Sequence, residues 1–168
     1  KLAAAVIARG AHPSTGMVTT HLLLPALTSI GRNDLAYQML EKTDYPSWGY
    51  WINLGATTMW ENWSAVNADG TINTSDYPSL SLNHANFGAC VEWFYRDILG
   101  IDQLQPGFTK ILISPQIGGG LSWARGSYDS IRGTITSAWQ LTNNLLTLKV
   151  TIPANTTAEI HVPTINAA

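Results

Sequence analysis

Leu141-Thr142-Asn143-Asn144-Leu145-Leu146-Thr147-Leu148-Lys149-Val150-Thr151-Ile152 decides how this chain reads. Leu146, Leu148, Val150 and Ile152 alternate with Thr147, Lys149 and Thr151, the period of a strand with one face in a core and one in water. Asn143-Asn144 is turn chemistry, because Asn tolerates the left-handed backbone of a tight hairpin. Across that turn Ile131, Ile135, Trp139 and Leu141 share one parity, opposite Arg132, Thr134, Thr136 and Gln140. Working outward, Lys110–Ser114 and Leu121–Tyr128 read as further strands separated by a Gly118-Gly119-Gly120 loop. Pro153-Ala154-Asn155 breaks the run before a last strand with Ala158, Ile160 and Val162 on one face. The expectation is an antiparallel meander, half or more of a β-sandwich, over residues 105–168.

Ahead of Gln105-Pro106-Gly107 the period changes. Leu35, Ala36, Met39 and Leu40 recur at helical spacing behind Asn33, a candidate N-cap. Phe87, Val91, Phe94 and Ile98 recur at four, three and four residues, with Gly100 as the stop signal. A third helix is expected over roughly residues 17–30, started or bent by Pro25. The connections from Thr43 to Thr58 and from Asn62 to Leu82 are aromatic-rich and long, which is the mark of functional loops. The fold class is therefore α plus separate all-β, with a helical part over 1–104 and a β part over 105–168. Three helices cannot enclose their own apolar faces, so the helical part is expected to belong to a larger polypeptide or to dock on a partner.

With 12% charged residues and a formal net charge of −2, the chain has neither the basic footprint of a nucleic-acid binder nor an acidic tail. No apolar run reaches the length of a membrane span. One cysteine, Cys90, precludes an internal disulfide framework and falls in an apolar helical pattern, as a buried thiol does. His12, His21 and His161 lack metal-ligand spacing with acidic or thiol partners, so no metal and no cofactor is expected.

The chemistry concentrates in Gly55-Ala56-Thr57-Thr58-Met59-Trp60-Glu61-Asn62-Trp63 and in Ser81-Leu82-Asn83-His84. A carboxylate between two indoles, with an imidazole returning toward it, suits a sugar-cleaving pocket: aromatic faces meet pyranose C–H faces while the carboxylate moves a proton. Glu61 reads either as a general acid or base, or as a helix-start glutamate with Trp60 and Trp63 merely packing. Desolvation against indole would favour the acid role; a base needs a polar partner, such as His84 or water, that keeps it ionised. His84 reads either as a grip on a sugar hydroxyl or as a capping or core histidine. Trp48, Tyr50 and Trp51 are either a sugar platform or a plug against the core. Asp44, Asp69 and Asp76 read as solvated turn residues, and Glu92 as a boundary ion pair.

Thr43-Asp44-Tyr45-Pro46-Ser47-Trp48-Gly49-Tyr50, the Glu61 tract, Leu82-Asn83-His84 and Gly118-Gly119-Gly120-Leu121-Ser122-Trp123-Ala124 together resemble, in order and spacing, the α-L-rhamnosidases of glycoside hydrolase family 78. The resemblance covers nearly the whole chain. It implies that the helices are the last ones of an (α/α)6 barrel and that the remainder is a C-terminal β-sandwich. It implies inverting hydrolysis of terminal α-L-rhamnose, with Glu61 as general base, His84 as a sugar ligand, and Trp48, Tyr50, Trp60 and Trp63 as stacking walls. The general acid of that family lies upstream and nothing here matches it, so the upstream part of the same polypeptide becomes a required partner beside the rhamnosylated glycoside. The isolated chain is then expected to be inactive. The insert Asn67–Ser75 is longer than the family pattern. Two other readings stay open: a non-catalytic carbohydrate-binding or structural piece, and another (α/α)6-barrel glycosidase.

Overall fold

The computed structural model describes residues 1–75 and 80–164, so Asp76 lies outside the described residues. It divides into two compact units, Lys1–Cys90 and Val91–Ala168.

The first unit opens with α1 (Leu2–Ala8), a helix that the sequence reading does not anticipate. α2 (Thr20–Ser29) buries Thr20, Leu23, Leu24 and Leu27 and carries Pro25 inside it, whose missing N–H leaves the carbonyl of His21 without a helical donor. Gly31, at φ +71°, ends α2: its N–H reaches Thr28 O at 2.9 Å and the N–H of Arg32 reaches Leu27 O at 2.9 Å, the paired bonds of a Schellman motif. α3 (Asn33–Leu40) follows at once and buries Leu35, Ala36, Tyr37 and Met39. Asn33 is its first residue and Arg32 its cap, one position earlier than expected. In its first turn Asp34 takes two bonds from Arg32, at 2.8 and 2.7 Å, which hold the carboxyl below its ordinary value.

The stretch read as one long connection from Thr43 to Thr58 contains α4 (Trp48–Asn53). Ser47 makes it possible. Its side chain is fully buried, accepts from Tyr50 N at 3.0 Å and donates to Asp44 O at 2.7 Å. Gly49 is equally restricted, because a Cβ there would stand 2.2 Å from Lys42 O. The aromatic residues hide the helix from a periodicity reading, since Trp48 and Trp51 are buried while Ile52 is exposed. A 3-10 helix, Ala85–Ala89, completes the unit.

From Cys90 the expected helix 87–98 continues as α5 (Cys90–Trp93) and then a π-helical turn, Phe94–Ile98. The expected stripe is corrected accordingly: Phe87, Cys90 and Trp93 are buried, whereas Val91 and Phe94 are exposed, because the 3-10 and π turns change the residues per turn. Glu92 pairs with Arg96 at 2.9 Å, as a boundary residue does. Gly100 takes φ +76°, and a Cβ on it would meet Pro115 N at 2.3 Å.

The second unit holds two three-stranded sheets. One has the order β1 (Ile101–Gln103), β2 (Lys110–Ile113), β6 (Thr157–Ile160); the other is β3 (Trp123–Ser130), β4 (Gly133–Thr142), β5 (Leu145–Thr151). The meander β3–β4–β5 is antiparallel as read, with Asn143 and Asn144 at φ +51° and +61° in its second turn. Several features differ from the reading, among them Val162, which lies beyond the end of β6. β1 is not foreseen by it, and β6 runs parallel to β2 rather than antiparallel, because the chain crosses to the other sheet after Pro153. Ile131 lies not on a strand but in the two-residue turn between β3 and β4, where it is 87% exposed. Leu99, Ile101, Ile111, Ile113 and Ile135 form the core, with Leu148, Val150, Ile152 and Ala158 packed on it. Two buried polar groups are satisfied inside the unit: Ser137 donates to Leu99 O at 2.7 Å, and the Trp139 indole N–H to Ile98 O at 2.7 Å.

Candidate functional site

The tract 55–63 is not helical, so Glu61 is not a helix-start residue. It runs instead beside residues 81–84, to which backbone bonds fasten it. Glu61 N–H donates to Ser81 O at 3.0 Å, and His84 N–H donates to Met59 O at 2.8 Å. The Thr58 hydroxyl, one residue before Met59, bonds to Leu82 O. The carboxylate of Glu61 closes the arrangement by accepting the N–H of Ser81 at Oε2, 2.7 Å away. Glu61 and Ser81 therefore hold each other twice, backbone to backbone and backbone to side chain. That amide is the carboxylate's one polar contact among the described residues, and it fixes the side-chain direction without involving Oε1.

The sequence reading looks to His84 or water for the partner of Glu61. The partner present is a main-chain amide, which carries no signature in residue type and so could not be read from the sequence. His84 starts the 3-10 helix 85–89 with extended backbone, φ −129° and ψ 116°, but its imidazole makes no capping bond. Its Nδ1 is buried and has no hydrogen-bond partner among the described residues. The ring thus makes no capping bond, and its Nδ1 is not satisfied within the described residues. An orphaned buried ring nitrogen costs about 1–3 kcal/mol until something fills it.

The indoles on either side of Glu61 in sequence, Trp60 and Trp63, join Trp48 and Trp51 in one buried cluster. Trp48, Trp51, Trp60 and Trp63 are each at most 8% exposed. Trp51 is the hub, with ring centroids 5.4 Å from Trp60, 4.7 Å from Trp63 and 5.3 Å from Phe87. Trp48 and Trp63 meet edge to face at 5.1 Å. The indole N–H groups of Trp48, Trp51 and Trp63 donate to Phe87 O, Trp63 O and Thr15 O at 3.1, 3.1 and 2.9 Å. These bonds tie α4, the Glu61 tract and the His84 segment into one body, so burying these three indoles leaves no polar orphan among them. Tyr50 is half-buried, with its ring edge-on to Tyr45 at 5.4 Å. A cavity of about 250 Å³ lies among Trp48, Trp51, Ile52, Thr58 and Met59, below the roughly 300 Å³ at which ligand pockets usually begin.

Around the site, Asp44 is exposed and 3.3 Å from His12 Nε2. Asp69 closes the Asn67–Thr71 turn by accepting from Thr71 N and Oγ1 at 2.9 and 2.6 Å; these bonds, the hydroxyl's first, hold its carboxyl below the ordinary value. Both sit as solvated turn residues.

The sequence family described as the bacterial alpha-L-rhamnosidase 6 hairpin glycosidase domain matches residues 1–98, and the bacterial alpha-L-rhamnosidase C-terminal domain matches residues 100–168. The chain belongs to the bacterial α-L-rhamnosidase family. An α-L-rhamnosidase of Streptomyces avermitilis is 39% identical over 97% of this chain, and one of Alteromonas sp. (strain LOR) is 41% identical over 90%. The crystal structure of the Streptomyces avermitilis α-L-rhamnosidase complexed with L-rhamnose superposes on 96% of the chain with a TM-score of 0.91 and 38% identity. The native Aspergillus terreus α-L-rhamnosidase does so on 94% with a TM-score of 0.89 and 31% identity. The chain spans 16% of the length of the Streptomyces and Alteromonas relatives and corresponds to a C-terminal part of such a protein.

Proposed function

We propose that this chain supplies the general base and part of the sugar-binding wall of an inverting α-L-rhamnosidase, whose general acid stands elsewhere in the same polypeptide. In this reading the helices 1–98 are the last ones of an (α/α)6 barrel and the β unit is its C-terminal sandwich. The observation that carries the proposal is the double hold between Glu61 and Ser81, which aims one carboxylate from the strand-like pairing that also carries the orphaned Nδ1 of His84. Family membership and the rhamnosidase relatives support the substrate class.

The chemistry follows from the division of the carboxylate. Oε2 is occupied by the Ser81 amide, so Oε1 is the oxygen left to accept a proton from water. As that water attacks the anomeric carbon of the rhamnoside, Glu61 takes its proton, and an acid on the other side of the ring protonates the departing glycosidic oxygen. The two carboxyl groups of an inverting site stand about 6.5–9.5 Å apart to admit the water. His84 grips a ring hydroxyl in this reading, from the segment fastened to the Glu61 tract by its own N–H bond to Met59 O. Trp48, Trp60 and Trp63 are buried, so in this reading they act by packing around the backbone that carries Glu61 and not as exposed stacking walls, while Tyr50 is only half-buried.

The test is Glu61→Gln in the full polypeptide. The amide keeps the shape and cannot take the proton, so turnover on an aryl α-L-rhamnoside should fall by about 10²–10⁴-fold while L-rhamnose binding persists. Turnover within about threefold of the parent would remove Glu61 from the mechanism.

A further inference from the structure

The meander β3–β4–β5 has two faces. One buries Ile135, Ser137 and Trp139 in the core of its unit. The other is read directly from the register. Trp123 pairs with Gln140 and Gln140 with Thr147; one step along, Arg125 pairs with Ala138 and Ala138 with Lys149. Alternation puts all six side chains on the outer face in two cross-strand rows, one of Trp, Gln and Thr and one of Arg, Ala and Lys. They line a groove of about 510 Å³.

The composition of this patch is unlike an ordinary solvated sheet. Trp123 is 57% exposed, and Arg125 stands over its ring with Cζ 5.8 Å from the centroid. Small Ala138 separates the two cations, so the middle of the row is a dip with a positive charge on either side. The six positions include no acidic residue, and no ion pair forms at Arg125 or Lys149 among the described residues. An indole face suits the C–H face of a pyranose, an amide and a hydroxyl suit its OH groups, and a planar guanidinium with a nearby ammonium suits an anion. A purely apolar partner surface would leave both cations desolvated and unpaired.

We propose that the outer face of this sheet is a second, non-catalytic saccharide site, which takes an acidic pyranose, carboxylated or sulfated, stacked on Trp123 and anchored by Arg125 and Lys149. It is separate from the Glu61 site and stands whether or not Glu61 is the base. Its effect would be to hold an anionic polysaccharide against the enzyme, not to change the bond-breaking step.

The experiment is affinity electrophoresis of the full polypeptide in gels containing polygalacturonate, dextran sulfate or neutral dextran. The parent should be retarded by one or both acidic polymers and not by dextran. Polygalacturonate identifies a carboxylate ligand and dextran sulfate a sulfated one. Trp123→Ala and Arg125→Ala/Lys149→Ala should each weaken retardation by about tenfold or more, the usual result of truncating an anchor, with turnover of an aryl rhamnoside unchanged. Added salt should weaken the parent's binding as well. Retardation that depends on the cations but not on Trp123 would reduce the patch to a nonspecific polyanion contact and overturn the proposal. Absence of retardation overturns it too. So does a Trp123→Ala protein that fails to fold while Arg125→Ala/Lys149→Ala folds and binds as the parent does, since the indole would then be packed against the rest of the polypeptide.

Discussion

Replacing Ser47 by alanine removes one hydroxyl that performs two tasks in front of α4. As an N-cap it accepts the Tyr50 N–H at 3.0 Å, and loss of such a cap costs about 1 kcal/mol. As a donor it serves Asp44 O at 2.7 Å in a part-buried bond, and loss of such a neutral bond adds about 0.5–1 kcal/mol. The sum is about 1.5–2 kcal/mol and acts locally, on the six residues of α4 that carry Trp48 and Trp51. Global unfolding of a large polypeptide is a poor measure of so local a change. Amide hydrogen exchange followed by mass spectrometry reads it directly, because the opening free energy of a segment sets its exchange. Peptides covering 48–54 should exchange about 10- to 30-fold faster in Ser47→Ala, while those of the β unit stay unchanged. Since α4 carries Trp48 and Trp51, which pack on the Trp60 and Trp63 that flank Glu61 in the chain, turnover should fall as well. Exchange within about twofold of the parent across 48–54 would show that the buried hydroxyl does not hold this helix and that the packing of Trp48 and Trp51 suffices.

His84→Ala should weaken L-rhamnose binding by about 1–3 kcal/mol, measured by inhibition with free sugar, and unchanged inhibition in a folded variant would return His84 to a structural role. The isolated chain of 168 residues should show no turnover on an aryl α-L-rhamnoside, because an inverting site needs an acid as well as a base; clear activity would place both inside it. In the β unit Glu159 accepts from Lys110 at 2.9 Å and meets His161 at 2.8 Å, and Lys110 foremost holds its carboxyl below the ordinary 4.5. A lowered carboxylate stabilises the fold above its unfolded value and loses that contribution as pH falls through its folded value. The difference in thermal stability between the parent and Glu159→Gln should therefore shrink as pH falls below about 4.5; a difference that grows in acid would reverse the sign of the linkage.

The parts of the fold legible in the sequence are those set by local period and turn chemistry. The alternation from Leu146 to Ile152 and the turn at Asn143-Asn144 appear as read, because one face of β5 meets the core and Asn accepts positive φ. What escapes such a reading is set by partners distant in sequence. α4 rests on a buried serine and on indoles bonded to carbonyls up to 48 positions away. The parallel pairing of β2 with β6 is a choice between sheet edges that no local period records. Val91 and Phe94 belong to the buried stripe only of an ideal helical repeat, which the 3-10 and π turns do not keep. At the candidate site the side chains Glu61 and His84 stand out by type, whereas the Ser81 amide could not, being a group every residue but proline has.

The twofold attachment at Glu61 and Ser81 also bears on how this protein can vary. The chain departs at Glu61 and comes back at Ser81; after Glu61 it buries Trp63, Ala65 and Val66, and beyond these it turns outward. Its Asn67–Thr71 hairpin turn, framed by the Val66–Ile72 bridge, is surface-exposed and can accept added residues. Lengthening a loop costs only about 0.6 kcal/mol per doubling once its ends are held. That turn thus behaves as an interchangeable cassette: longer or foreign versions can be grafted between Val66 and Ile72 without re-aiming the carboxylate.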